Sequence, residues 1–444
     1  MDYADELGLK CFVYGGSLHS WSSRTGSLFE DITVIEEDED GNPTEVVSEA
    51  VFANQDELNA AVVDYLKNVA AHPSFYGVSL IDEPSYAMFT AIGEVVKAIT
   101  AYGDVIGKDI FIMQNLLPFA RDGRSSYDGV DRSSLTYAEK ADEAIYERYL
   151  TAYYEKAGQY MDMKYVQYDD YPFMVYDNRA TLANYIHTHQ ITSDFATEKG
   201  IWRSIALQTY NNTKPDGTPY GRRAPTEYDM LWQTNVSLAF GVKEISYYTL
   251  RPIHNTGAGV YDNGSTYPLD RLGNPTPLFD AVKRVNAQMN HMAAALNSFE
   301  YRGVSYYSGS TKFSATIDSN IGSKSYTYGE LLAASSVENQ AMTKISSVTL
   351  GGGLTGDGLV LVSELYDAET GLYGYYVVNA SSPFVGADNS IVPVSGSVTL
   401  TLDGFDAVQV WDETSVDSSF LPASKSITLD LAACEGVFII PFNI

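Results

Sequence analysis

The sequence predicts an α/β fold, a (β/α)8 TIM-like barrel with its N-terminal strands missing, followed by an all-β C-terminal sandwich. Three observations predict it. From residue 11 to about 297, short apolar runs alternate with stretches whose apolar residues recur at three- and four-residue spacing, the sign of a parallel sheet flanked by helices. Beyond about residue 300 the period falls to two, and Gly, Ser and Asp punctuate the runs. Several of the early apolar runs also stop on carboxylates, amides and proline, at the strand ends where such barrels build their sites.

The first ten residues read as the end of a helix closed by Gly8 and leading into a strand at 11–14. Further strands are expected at 78–81, 110–113, 165–168, 203–208 and 245–250, with helices at 56–71, 88–102, 138–157, 182–199, 227–240 and 278–296. Six βα units are two short of eight, so a closed barrel needs one or two strands ahead of Cys11 or supplied irregularly. The later strands fall at 358–364, 374–379, 397–402, 407–411 and 437–441. The expected domains are therefore a catalytic-type barrel over 1–297 and a sandwich over 298–444, the latter read as a structural cap. The 444 residues suit this division, since a barrel takes about 250 of them. The acidic run Glu36-Glu-Asp-Glu-Asp-Gly-Asn-Pro43 places Asp38, Asp40 and Asn42 at alternate positions, like a calcium loop. It lacks the downstream bidentate Glu, so a solvated turn is expected.

Composition narrows the function. A formal charge of −29 opposes a polyanionic partner, because nucleic-acid binding draws on Lys and Arg to release counterions from phosphates. The 34 tyrosines offer flat apolar faces that carry hydroxyls, which suits sugar surfaces, although packing accounts for most of them. Cys11 and Cys434 have no metal-ligand spacing, and His187 and His189 lie outside any paired His-Glu helix motif. No metal and no cofactor is expected. Gly351-Gly-Gly353 lacks the strand-to-helix setting of a phosphate loop, and no run of about 18 apolar residues is present to span a membrane. An extracellular or cell-surface setting is favoured over the cytoplasm, and the oligomeric state is left open.

The chemistry gathers at strand ends. Phe75-Tyr-Gly-Val-Ser-Leu-Ile-Asp-Glu-Pro84 is an apolar strand stopping on Asp82, Glu83 and a proline that cannot continue the ladder. The pattern returns in Tyr165-Val-Gln-Tyr-Asp-Asp-Tyr-Pro172 and, more mildly, in Phe111-Ile-Met-Gln-Asn-Leu-Leu-Pro118, which places Asn115 at a third end. Side chains alternate along a strand, so one of Asp169 and Asp170 faces inward and the other outward. His19, Trp21, Asn115, Tyr171, Gln208, Tyr210, Tyr247, Tyr248 and Arg251 stand at or after strand ends and are read as sugar contacts, with barrel packing as the plainer alternative for each aromatic. Glu244 begins its strand and is assigned to the structural face.

Taken in order, Asp82-Glu-Pro84, Tyr168-Asp-Asp-Tyr-Pro172 and Leu238-Ala-Phe-Gly-Val-Lys-Glu-Ile-Ser-Tyr-Tyr248 resemble the clan GH-A glycoside hydrolases, nearest to family 42 β-galactosidase relatives, over roughly residues 1–297. The resemblance implies a hydrolase acting on a β-linked glycoside, with Glu83 at the acid/base position of the fourth barrel strand. Asp169 and Asp170 are the candidates for a second catalytic carboxylate; the resemblance favours Asp169 as the inward one, and the plainer reading is that Asp169 only hydrogen-bonds hydroxyls or a neighbouring Arg. Asp82, read as a substrate contact, stands where the clan has Asn; an ionised Asp there only accepts hydrogen bonds from a sugar hydroxyl and favours a protonated Glu83, while the plainer reading makes Asp82 a helix cap. Gln208 stands where the nucleophilic Glu is expected. A neutral amide forms no glycosyl ester, so the alternative implied is a carbohydrate-binding protein without hydrolysis.

Overall fold

The structure, a computed structural model, describes residues 1–37, 43–120, 124–135, 142–175, 179–212, 221–252, 267–318, 322–382 and 392–444. Asp38, Asp40 and Asn42 of the acidic run lie outside them. The chain is α/β of the (β/α) barrel type followed by an antiparallel β-sandwich, and its contacts group it into two compact units, Met1–Asp169 and Asp170–Ile444.

The first unit carries four parallel strands in sequence order: β1 (Cys11–Tyr14), β2 (Phe75–Asp82), β3 (Phe111–Leu116) and β4 (Tyr165–Asp169). Helices α1 (Gln55–Leu66), α2 (Phe89–Ile106) and α3 (Glu143–Lys156) alternate with them. Asn54 starts α1 by accepting the Glu57 N–H at 3.1 Å, while the Glu57 carboxylate accepts the Ala53 N–H at 2.7 Å. One stripe of α1, Leu58, Val62 and Leu66, is buried, as are Phe89, Ile92, Val95, Val96 and Ile99 of α2. Gly107, at φ +66°, closes α2 in the left-handed region. Gly93 answers a different need: a Cβ there would lie 1.8 Å from the Lys156 carbonyl oxygen at the end of α3. An antiparallel hairpin of Ile32–Glu37 and Pro43–Ser48, which the sequence reading did not anticipate, stands between β1 and α1.

The second unit opens with helix α4 (Arg179–Lys199) and the parallel pair β5 (Trp202–Gln208) and β6 (Glu244–Tyr248), with Gln208 opposite Tyr248. Helices α5 (Glu227–Ala239) and α6 (Pro277–Leu296) follow β5 and β6. A capping box of Thr226 and Asp229 starts α5, and Arg223 grips the same Asp229 with two bonds of 2.6 and 2.8 Å. The sandwich strands are β7 (Glu300–Ser308), β8 (Ile345–Gly352), β9 (Leu359–Asp367), β10 (Leu372–Asn379), β11 (Gly396–Leu402), β12 (Ala407–Trp411), β13 (Val416–Phe420), β14 (Ser426–Leu431) and β15 (Gly436–Phe442). They form one antiparallel sheet in the order β13-β12-β15-β10-β9-β7 and a second in the order β8-β11-β14. Val360, Val362, Tyr375, Val377, Val398, Leu400 and Ile439 make the core between them.

Strand β11 alternates buried and half-exposed, as a one-sided strand should, but β10 is buried through its last six residues. Helix α5 is the reason. The Trp232 indole N–H donates to the Ala380 carbonyl and the Tyr376 hydroxyl to Asn235 Oδ1, each at 2.8 Å, so α5 covers the outer face of this sheet. The compact units accordingly do not follow the change of period near residue 297, because β5, β6 and their helices share a unit with the sandwich.

Candidate active site

In the first unit, three of the expected residues meet at the carboxyl ends of β2, β3 and β4. Asn115 Nδ2 donates to Asp82 Oδ1 and to Asp169 Oδ1, each at 2.8 Å. One amide thus ties two carboxylates from different strands. Asp169 is buried at 8 % exposure, whereas Asp82 and the adjoining Glu83 are exposed. Asp82 does not cap the following helix: the next turn begins at Tyr86 behind Ser85, and no side chain caps it.

Glu83 is held by its backbone. Its φ of +46° lies in the left-handed region, a conformation that costs a residue with a Cβ roughly 1–2 kcal/mol. Three hydrogen bonds surround that strained residue. The Glu83 N–H donates to the Asn115 carbonyl at 3.1 Å, Gln114 Nε2 donates to the Ile81 carbonyl at 2.6 Å, and the Tyr149 hydroxyl donates to the Pro84 carbonyl at 2.7 Å. Tyr149 is fully buried, and burial pushes its phenol well above its usual range, with the charge of Glu83 a smaller contribution in the same direction. Proline at 84 supplies the break, and the bonds to its neighbours supply the shape.

His19 and Trp21 lie on the short helix Gly16–Ser22 after β1. A His19 ring nitrogen meets the Leu80 carbonyl at 3.3 Å, two residues before Asp82, and the ring packs edge-on against Tyr14. Trp21 packs edge-on against Phe52. Further along the same unit, His72 Nδ1 lies 2.7 Å from Asp5 Oδ2 and 3.6 Å from Asp2 Oδ1, a grouping whose donor atoms could hold a metal ion. Hydrogen bonds from Ser74 and then His72 hold the Asp5 carboxyl down at about 2.

The second unit places the remaining candidates. Asp170 Oδ2 accepts from the Thr188 hydroxyl of α4 at 3.4 Å. Tyr171, Tyr210 and Tyr248 form one aromatic cluster with ring centroids 5.1 to 5.7 Å apart, and the Arg222 guanidinium lies 5.3 Å above the Tyr171 ring. Tyr247 turns the other way, donating to Asn286 of α6 and lining a cavity of about 560 Å³ with Leu250, Pro268, Phe279 and Val282. Arg251 is exposed. Glu244 sits at the opposite end of β6 from Tyr248, where burial raises its carboxyl.

Gln208, expected among the sugar contacts, is instead completely buried and committed to the backbone. Its Oε1 accepts the Phe173 N–H at 3.0 Å, and its Nε2 faces the carbonyls of Arg223, Tyr210 and Phe173 at 3.0, 3.1 and 3.4 Å. The amide clamps two loops to the end of β5, which leaves it nothing with which to bind a ligand. Two residues around Glu83 escaped the sequence reading, Gln114 and Tyr149. Gln114 had a signal, being a polar residue inside an apolar strand; Tyr149 had none, because it reaches the site from a helix 66 residues downstream of Glu83.

No family model matches the chain, and no curated protein matches its sequence. Solved structures do align with it at low similarity. A β-galactosidase from the psychrophilic Marinomonas ef1 is 15 % identical with a TM-score of 0.34, over 67 % of this chain and 52 % of that one. A Paenibacillus polymyxa xyloglucanase of glycoside hydrolase family 44 is 11 % identical with a TM-score of 0.37, over 100 % and 82 %. A glycoside hydrolase family 5 protein from Bacteroides vulgatus is 9 % identical with a TM-score of 0.37, over 94 % and 81 %. The chain thus spans about half the length of the Marinomonas enzyme. Likeness at this level does not carry activity from those proteins to this one.

Proposed function

We propose that this chain is a glycoside hydrolase acting on a β-linked glycoside or oligosaccharide, with Glu83 as the general acid/base and Asp169 as the second carboxylate. The observation that carries the reading is the gathering of Asp82, Glu83 and Asp169 around Asn115 at three adjoining strand ends. Glycosidic cleavage needs a proton delivered to the leaving oxygen and a second carboxylate to receive the developing positive charge or activate water. Because Asp82 and Asp169 each lie 2.8 Å from one amide nitrogen, their bonded oxygens are within about 6 Å of each other. Glu83 adjoins that pair, held in a backbone conformation that free chains avoid. Strain of this kind collects at sites where a side chain must be aimed.

In the second unit, the Tyr171, Tyr210 and Tyr248 rings suit stacking on the C–H face of a pyranose. The alternative of a carbohydrate binder without hydrolysis rested on an amide replacing the nucleophile, and an amide wholly taken by backbone groups supports neither reading. The test is turnover of a panel of aryl glycosides by the parent and by Glu83→Gln. Glu83→Gln is expected to lose about a hundredfold or more in kcat on a substrate with a poor leaving group, and less on an activated one that needs no proton. Equal turnover by the two proteins removes Glu83 from the mechanism.

A further inference from the structure

We propose that Gln114 is a positioning residue: its buried amide holds the strand irregularity that turns Glu83, rather than Asp82, out of the β2 ladder. The inference deepens the hydrolase reading and rests on it for its kinetic consequence. Strands β2 and β3 run in register through Gly77 with Phe111, Val78 with Ile112 and Ser79 with Met113, and the next pair is Asp82 with Asn115. Over that interval β2 takes three steps where β3 takes two, so β2 carries one extra residue. Side chains along a strand have a period of two, so a one-residue slip exchanges the faces of all that follow it. Removing the slip would exchange the directions of Asp82 and Glu83.

Gln114 sits on β3 between the last regular pair and the first slipped one. Its side chain is fully buried, and its Nε2 donates to the Ile81 carbonyl, inside the slip, at 2.6 Å and to the Asn115 carbonyl at 2.9 Å. The same Asn115 oxygen accepts the Glu83 N–H at 3.1 Å. A single amide therefore supplies donors to the carbonyls on both sides of the irregularity, one of them the acceptor that fixes the left-handed Glu83. The Gln114 backbone is itself anchored, with its N–H donating to the Tyr165 hydroxyl at 2.9 Å. Gln114 touches no substrate in this scheme; it acts through the backbone of Ile81, Asn115 and Glu83.

The test compares Gln114→Met, of similar length and without donors, with Gln114→Glu. Amide exchange protection at Glu83 is expected to fall about tenfold or more in Gln114→Met while Val78 and Ser79, ahead of the slip, keep theirs. On an aryl glycoside turned over by the parent, kcat is expected to fall about tenfold to a hundredfold with KM within about threefold, as for a misaimed acid rather than a damaged binding surface. Gln114→Glu distinguishes positioning from packing, because its protonated carboxyl still donates one hydrogen bond and its ionised form faces two carbonyl oxygens. Its Glu83 protection factor is expected to recover on acidification, and that of Gln114→Met is not. Should Gln114→Met fail to fold, the acid form of Gln114→Glu decides. Unchanged protection at Glu83 in Gln114→Met overturns the proposal. A parent inactive on every glycoside sinks the hydrolase reading alone, since the exchange measurement is read without substrate.

Discussion

At Gln208 the hydrogen bonds decide a question that the residue type had opened. An amide has both a donor group and an acceptor, and this site uses both: one backbone N–H is accepted, and three carbonyl oxygens crowd the nitrogen. A carboxylate has no donor. Gln208→Glu, which on the sequence would restore a nucleophile, is therefore expected to destabilise the protein by about 3–5 kcal/mol at neutral pH, as an uncompensated buried charge does. No hydrolysis should be gained. Thermal unfolding at pH 7 and pH 5 checks this: the loss should shrink at pH 5, where the introduced acid is partly protonated, and an undiminished melting temperature at pH 7 would show that the clamp is dispensable.

At the scale of elements, the first unit depends on how closely α2 approaches the end of α3. Alanine at Gly93 would gain about 1 kcal/mol of helix propensity. Its Cβ, however, would meet a backbone oxygen at 1.8 Å, and backbone cannot rotate away as a side-chain tip can. Overpacking costs about 1–3 kcal/mol, and a contact with rigid backbone puts the cost towards the upper end, so Gly93→Ala is expected to give a net loss of up to about 2 kcal/mol, read as a lower urea midpoint with an unchanged m-value. The periodic helices were legible in the sequence because their buried stripes are contiguous at three and four residues, as in α2. The Ile32–Glu37 and Pro43–Ser48 hairpin was not, since nearly all the described side chains of Pro43–Ser48 are exposed and no buried face imposes an alternation.

Across the whole molecule, an excess of acidic groups makes the response to acid informative. The Asp5 carboxyl, held at about 2 against an ordinary 3.8, binds fewer protons in the folded state than in the unfolded one between those values. Its contribution is therefore complete above about pH 4 and is lost as the pH falls through about 2. Urea midpoints of the parent and of Asp5→Asn should differ most above pH 5 and converge towards pH 2; a constant gap would assign the effect to packing rather than to charge. That link joins the short N-terminal helix Asp2–Glu6 to the turn before β2, through His72 and Ser74. The second unit is integrated differently, by the indole and amide bonds of α5 to the sandwich, so residues 170–296 and 300–444 share one body.

Local chemistry was enough to mark where strands end and which polar groups stand there: Asp82, Glu83, Asn115 and Asp169 stand at the ends of apolar runs broken by proline. Those signals lie within a few residues of each other, and period and propensity act at that range. Which of these groups share a hydrogen bond, that Gln208 serves backbone carbonyls, and that β2 slips by one residue opposite Gln114 were decided only when distant strands and loops came together. A register and a buried amide's partners are properties of pairs remote in sequence, and no single strand carries them.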